Sequence, residues 1–319
     1  MKTRIFFTTD IHGSERCWRK FVNAGPFYKA NVVIMGGDIT GKAIIPIKQD
    51  GDQYSTTFMN KTHEITSQEE YEKLLQIIRN SGYYPYVASA DEIEKLHKNK
   101  AAVDKLFSKV MQDELLRWIK LAEERLGDSE IKMFVCPGND DRLDIDVSLN
   151  SSDYVVNPDG KVVMLDDEHE MISMGHGNVT PWECPRDVPE EELEERIEAM
   201  ASKLKNPELS VFNMHVPPFD STLDLCPVLK ETTEGDLQVQ TKGGRIEDQP
   251  VGSKAVRAAI EKYHPLLSLH GHIHESRGFQ KIGKTLAINP GSEYLEGVLR
   301  GAIVDLEGSK VKNFLLTQG

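Results

Sequence analysis

Cysteine is nearly missing from this chain. There are four in 319 residues, Cys17, Cys136, Cys184 and Cys226, and no two form a C-x-x-C pair. That spacing argues against a disulfide framework or a thiolate zinc knuckle and fits thiols kept reduced in a cytoplasm. Long apolar runs are missing too. No stretch approaches the ~20 residues that a bilayer-crossing helix requires. The opening segment meets an acid at Asp10 before any apolar core of a signal peptide can develop. The expectation is a soluble, cytoplasmic protein with no membrane partner. Positive charge is in deficit as well, with 38 Lys and Arg against 51 Asp and Glu and a formal net charge of −13. Such a balance opposes non-specific binding to nucleic acid. Internal repeats, low-complexity tracts and an evident linker are all lacking, so one domain over residues 1–319 is expected.

What the chain does have is a set of short polar blocks, each placed after an apolar run. They are Asp10-Ile11-His12, Gly37-Asp38, Gly138-Asn139-Asp140, His215-Val216-Pro217-Pro218 and Gly271-His272-Ile273-His274. Two imidazoles at i and i+2 after a glycine are poor core material and suit a turn where both rings reach a metal ion. Alone, G-H-x-H is a weak signal. Five blocks in this order, each at the end of a strand, are a strong one.

The runs before the blocks read as strands. Residues 4–9 and 31–35 flank a helix over 15–23 that Ser14 can cap, which predicts a right-handed crossover and parallel pairing. In open α/β sheets ligands gather outside the carboxyl ends of the strands. Residues 41–130 break the rhythm and are read as a largely helical insertion. It holds a hairpin around Asp50-Gly51 and helices over 68–80 and 91–126. Further strands are expected at 131–136, 162–165, 170–174, 209–214, 266–269, 277–282, 285–289, 301–305 and 311–316. Helices are expected at 190–203 and 253–263, and a polar loop at 220–252.

Asp10, His12, Asp38, Asn139, His215, His272 and His274 together offer carboxylate, amide and imidazole ligands without thiolate. That mixture suits a pair of borderline divalent ions, ~3.5–4 Å apart and bridged by one carboxylate. Water held between such ions becomes a nucleophile near neutral pH, and the ions neutralise a phosphoryl group during in-line displacement.

The blocks resemble those of the calcineurin-like metallophosphoesterase superfamily, D-x-H, G-D, G-N, H-x-P-P and G-H-x-H, and the match runs from Thr8 to Ser292 apart from the insertion. Thr180-Pro181-Trp182 and Asn289-Pro290-Gly291-Ser292 are similar to segments of its bacterial and archaeal phosphoesterases. The resemblance implies an α/β fold, a four-layer α/β/β/α sandwich. It also implies that Asp10, His12 and His274 hold one ion, that Asn139, His215 and His272 hold the other, and that Asp38 bridges them. Manganese is the first choice of metal, with iron, zinc or nickel as alternatives. The implied function is hydrolysis of a small phosphomonoester or phosphodiester by a metal-bridging hydroxide. Two alternatives stand beside it, a non-catalytic protein-binding scaffold and a nuclease, the latter disfavoured by the acidic balance.

One position departs from the pattern. Where many members have histidine after the asparagine, this chain has Asp140. A carboxylate beside two cations stays ionised and makes a poor acid, so Asp140 is expected to orient a ligand. His176, between Gly175 and Gly177, is the substitute candidate for protonating the leaving group, ahead of His63 in the insertion. Asn139, Asp140 and His176 are thus the catalytic candidates. His270 is expected to be a buried neighbour of the ligands, and Arg142 to pair with a nearby aspartate. The insertion also offers a surface through which copies of the chain could associate.

Overall fold

Alternation along Lys2–Thr8 sets the architecture: Ile5 and Phe7 face one way and Phe6 the other, and all three are buried. The computed structural model describes residues 2–231 and 237–319. In it this strand pairs parallel with Val32–Met35 and antiparallel with Arg300–Glu307. A six-stranded sheet results, in the order Lys310–Gln318, Arg300–Glu307, Lys2–Thr8, Val32–Met35, Lys132–Val135, Val155–Val156. A second six-stranded sheet runs Gly278–Ile282, Thr285–Asn289, Leu267–Leu269, Val211–Met214, Glu170–Met174, Val162–Met164. Its four inner strands are mutually parallel and its two outer strands antiparallel to their neighbours.

Strand parity sorts the core into three clusters, because successive side chains leave a strand on opposite faces. Ile5, Phe7, Val32 and Ile34 of the first sheet meet Met171, Val211, Leu267 and Ile288 of the second. Phe6, Val33 and Met35 pack instead on Trp18 and Phe21 of the helix Glu15–Tyr28 and on Met111, Leu115 and Trp118 of the helix Lys100–Leu126. Trp18 and Trp118 stack with ring centroids 5.1 Å apart. On the second sheet, Ile172, Phe212 and Met214 face Leu193 and Ile197 of Glu190–Ala201 and Val256 and Ile260 of Lys254–Tyr263.

Ser14 caps the first helix as expected, but that helix continues to Tyr28, past residue 23, and ends at Lys29 in a left-handed conformation. The larger difference lies in residues 41–130, where the helices Gln68–Asn80, Ala90–His97 and Lys100–Leu126 are accompanied by more sheet than the expected hairpin. Four strands form a sheet in the order Lys61–Ile65, Gln53–Phe58, Ile44–Asp50, Tyr84–Ala88. Ile47, Phe58, Ile65, Leu74 and Ile78 give it a small core of its own. The hairpin around Gly51 is present, extended by a third strand and by a parallel fourth. The single helix expected over 91–126 is two, Ala90–His97 and Lys100–Leu126. Asn99 breaks the run by accepting a hydrogen bond from the Ala102 backbone, as a helix N-cap does.

The loop expected at 220–252 is a narrow ribbon of short antiparallel pairings, among them Leu225–Pro227 with Asp248–Pro250 and Thr241–Lys242 with Arg245–Ile246. Polar ladder strands this short leave no periodic signal. The part of that loop at 232–236 lies outside the described residues.

Candidate metal centre

Each polar block follows the carboxyl end of a strand. Asp10 and His12 follow Lys2–Thr8, Asp38 follows Val32–Met35, and Asn139 follows Lys132–Val135. His215 follows Val211–Met214, and His272 and His274 follow Leu267–Leu269. The first sheet brings four of these residues and the second three. They meet. Ligand atoms of Asp10, His12 and His274 lie within 4.8 Å of one another, as do those of Asp38, His215 and His272. His12 Nε2 is 3.1 Å from His274 Nε2 and 3.6 Å from Asp38 Oδ2. His215 Nε2 is 3.3 Å from Asp38 Oδ1 and 4.0 Å from Asp10 Oδ1. Asp38 therefore touches both groups. Asn139 joins through its Oδ1, 2.9 Å from His272 Nδ1.

The backbone is bent to achieve this. Asp10, His12, Asp38 and His272 all have left-handed φ, between 40° and 66°. Side chains rarely adopt that region, and such strain concentrates at functional sites. Two glycines are dictated by close approach. A Cβ on Gly37 would lie 2.2 Å from His215 Nδ1, and one on Gly138 would lie 2.2 Å from Asp38 Oδ1.

Several ligands are aimed by partners. His215 donates from Nδ1 to the Gly36 carbonyl at 3.0 Å, which turns Nε2 inward. The Asn139 amide donates to Asp187 Oδ1 at 2.8 Å, which turns its oxygen toward His272. Asp187 is itself fixed by Thr180, whose N–H and hydroxyl both donate to Oδ2. The Asp10 carboxylate accepts the His272 N–H, and the Asp10 carbonyl accepts the Ser292 hydroxyl at 2.6 Å. Asn289 donates to the Gly271 and Ile273 carbonyls and so fastens the G-H-x-H turn.

The electrostatics suit cations. Burial works against ionised Asp10, but its hydrogen bond with His274 and the charge of His215 hold its carboxyl at about 2. Burial likewise opposes ionised Asp38, yet the charge and hydrogen bond of His215 leave it well below the usual carboxylate range. Burial drives His12 down to about 3 and His272 to about 4, so both rings are neutral and have lone pairs to give. His215 goes the other way: burial would lower it, but Asp38 and Asp10 raise it to about 10. A proton there occupies the place a cation would take. His215 Nε2 is buried and faces the Asp38 and Asp10 carboxylates at 3.3 Å and 4.0 Å, so a cation there would satisfy the nitrogen and both carboxylates together. The residues fit a metal site.

Asp140 lies at the mouth, its Oδ2 3.7 Å from His12 Nδ1 and 3.0 Å from Lys42 Nζ. It also forms a third close group with His12 and Asp38. Burial, then the charge of Asp38, pushes its carboxyl up, and Lys42 opposes that. Asp141 clamps the loop, accepting from the Ile39, Thr40 and Gly138 backbone. His176 is not brought into the cluster. It is half-buried, and its charged neighbours are Asp159, Arg196, Arg186 and Glu192. His63 sits in the Lys61–Ile65 strand of the insertion. His270 is fully buried and donates from Nδ1 toward the Met214 and Val216 carbonyls. Arg142 pairs with Asp104 at 2.7 Å and with Asp144 at 3.5 Å.

Three residues at the site escaped the sequence reading: Asp187, Lys42 and Tyr294, whose ring centroid is 4.7 Å from that of His12 and 6.0 Å from that of His274. None lies in a recognisable motif, although Lys42 follows the G-D block closely and Tyr294 follows Asn289-Pro290-Gly291-Ser292.

No family model matches the chain. It is 32% identical over 174 residues to the uncharacterized protein MJ1162 of Methanocaldococcus jannaschii, covering 54% of this chain and 67% of that one. In fold it is similar to TT1561 of Thermus thermophilus, with a TM-score of 0.53 and 14% identity over 100% of this chain and 99% of that one. The five blocks converge on that fold at the strand ends. The chain belongs to the same family as MJ1162, and it shares the fold of TT1561. A structure described as a novel archaeal phosphodiesterase overlaps the chain more loosely, with a TM-score of 0.37 and 14% identity over 99% of each chain. Among the described residues no helix is long and apolar enough to cross a membrane.

Proposed function

We propose that this protein is a calcineurin-like metallophosphoesterase that hydrolyses a small phosphomonoester or phosphodiester with the help of two divalent cations, manganese first among the candidates. The observation that carries the reading is Asp38, buried between two groups of metal-ligand atoms with His12 on one side and His215 on the other. Asp10, His12 and His274 would hold one cation, Asn139, His215 and His272 the other, and Asp38 would bridge them. When bound, the cations supply Lewis acidity toward a phosphoryl oxygen and lower the pKa of a coordinated water. The chain does the rest. Gly36 and Asp187 hold His215 and Asn139 in their ligating orientations. Lys42, steered by Asp140, offers an ammonium to a phosphate oxygen at the mouth. Tyr294 walls one side of His12 and His274. Departure of a phenolate-like leaving group needs no proton, so aryl esters are suitable first substrates.

The three hydrophobic clusters support a helix–sheet–sheet–helix stacking in one domain, with residues 41–130 packed beside the site. A screen of aryl monoesters and diesters with manganese, iron, zinc or nickel, with apo protein as control, tests the reading. Turnover should appear with metal and vanish on chelation. A folded protein that binds no metal and turns over nothing would indicate the scaffold. Cleavage of linear DNA at rates matching small diesters would indicate the nuclease.

A further inference from the structure

Beside the candidate metal centre the molecule has far more room than a phosphoryl group requires. A cavity of about 510 Å³ opens from His274 and Tyr294 and is walled by Arg277, Ser292 and Arg300. A second cavity, of about 430 Å³, lies against the ribbon at Leu225 and Ile246, and Arg277 and Glu275 line both. Volumes of this order hold whole small ligands. Arg277 is the cation at their junction.

Its guanidinium carries five donors, yet it makes no ion pair or hydrogen bond among the described residues. The neighbouring Arg300 is occupied, donating to Glu293 at 2.5 Å and to Gln318. Arg277 is exposed, and its Cβ lies close beside Gly291, where an added Cβ would come within 2.9 Å of it. Glu275, Glu293 and Glu296 share the first cavity; Glu293 is bonded to Arg300, its charge also reaches Arg277, and none of the three forms an ion pair with the Arg277 guanidinium.

We infer that the preferred substrates are phosphoesters whose leaving group carries a second anionic group, a carboxylate or a further phosphate, received by Arg277. This rests on the hydrolase reading above and adds the substrate class. An unpaired guanidinium beside a substrate anion forms charge-assisted, often bidentate hydrogen bonds. A preference of about tenfold or more follows.

The test uses the full chain loaded with manganese and two acid–amide pairs of aryl phosphates. One pair is 4-carboxyphenyl phosphate and its carboxamide, and the other has the same groups on a two-carbon arm. Each acid differs from its amide mainly in charge. Wild type should favour the acid of at least one pair by about tenfold in kcat/KM, mainly through a lower KM. Arg277→Ala should bring that ratio close to one, with Arg277→Lys between. Equal rates for acid and amide at both arm lengths in wild type, or an acid preference undiminished in Arg277→Ala, would overturn the inference while leaving the hydrolase reading intact. If no ester is turned over with any metal, the hydrolase reading fails and the inference falls with it.

Discussion

His215 and His274 occupy corresponding places in the two halves of the cluster, but they are held very differently. His215 is completely buried, tied to Gly36 through one nitrogen, and shares its half with an Asn139 that Asp187 holds in place. The side chain of His274 keeps 29% of its surface exposed, and its ring leans on His12 and Tyr294. One half is therefore fixed by buried hydrogen bonds, whereas in the other His274 is bonded to Asp10 but partly open, and His12 is steadied by ring contacts. Preorganised ligands bind more tightly, since less freedom is lost on coordination. The cation at Asn139, His215 and His272 is expected to be the tighter one, and that at Asp10, His12 and His274 the more exchangeable.

Asp38 joins the halves, so removing it should erase the contrast altogether. Asp38→Ala is expected to lower kcat for an aryl phosphate by ~10³-fold or more while circular dichroism shows the fold retained. Full activity in the variant would remove this site from consideration. Next in size is Asp187→Ala, which frees the Asn139 amide to turn. Loss of such a supporting partner costs ~10–100-fold in metal affinity, and titration calorimetry should show that loss in the tighter step only. An equal loss in both steps would mean that the halves do not differ as described. Tyr294→Ala should act on the looser half instead. Ring contacts of this kind are worth ~0.5–1.5 kcal/mol, or about threefold to tenfold in the weaker binding step. The smallest effect belongs to His176→Ala. A general acid contributes ~10²–10⁴-fold, and with Asp159 and Arg186 as its neighbours His176 should fall far short of that in the pH–rate profile of an aryl ester.

How much of this was legible beforehand follows from what each residue has to do. The seven cluster residues stood out because metal ligands at strand ends need particular side chains beside glycines. The structure gives the reason for two of those glycines in the close approaches at Gly37 and Gly138. Asp187 was invisible. It is one carboxylate among 51 acidic residues, and its role depends on a loop folding back from Thr180. The glycines flanking His176 suggest a rim without saying which way the ring faces, and its charged neighbours are Asp159, Arg196, Arg186 and Glu192. The fourth strand in residues 41–130, Tyr84–Ala88, pairs parallel with Ile44–Asp50 across the helix Gln68–Asn80, and a pairing between such distant segments leaves no local signal. The break at Asn99 was hidden because apolar periodicity resumes at once in the helix that follows.

Metal stoichiometry tests the central claim most directly. Purified protein is dialysed to equilibrium against manganese, and bound metal is counted by mass spectrometry in wild type and in Asp38→Ala. The account predicts about two ions per chain in wild type, filling in two distinguishable steps, and at most about one in the variant. A folded wild-type chain that retains about zero ions, or a variant that retains as many as wild type, would contradict it.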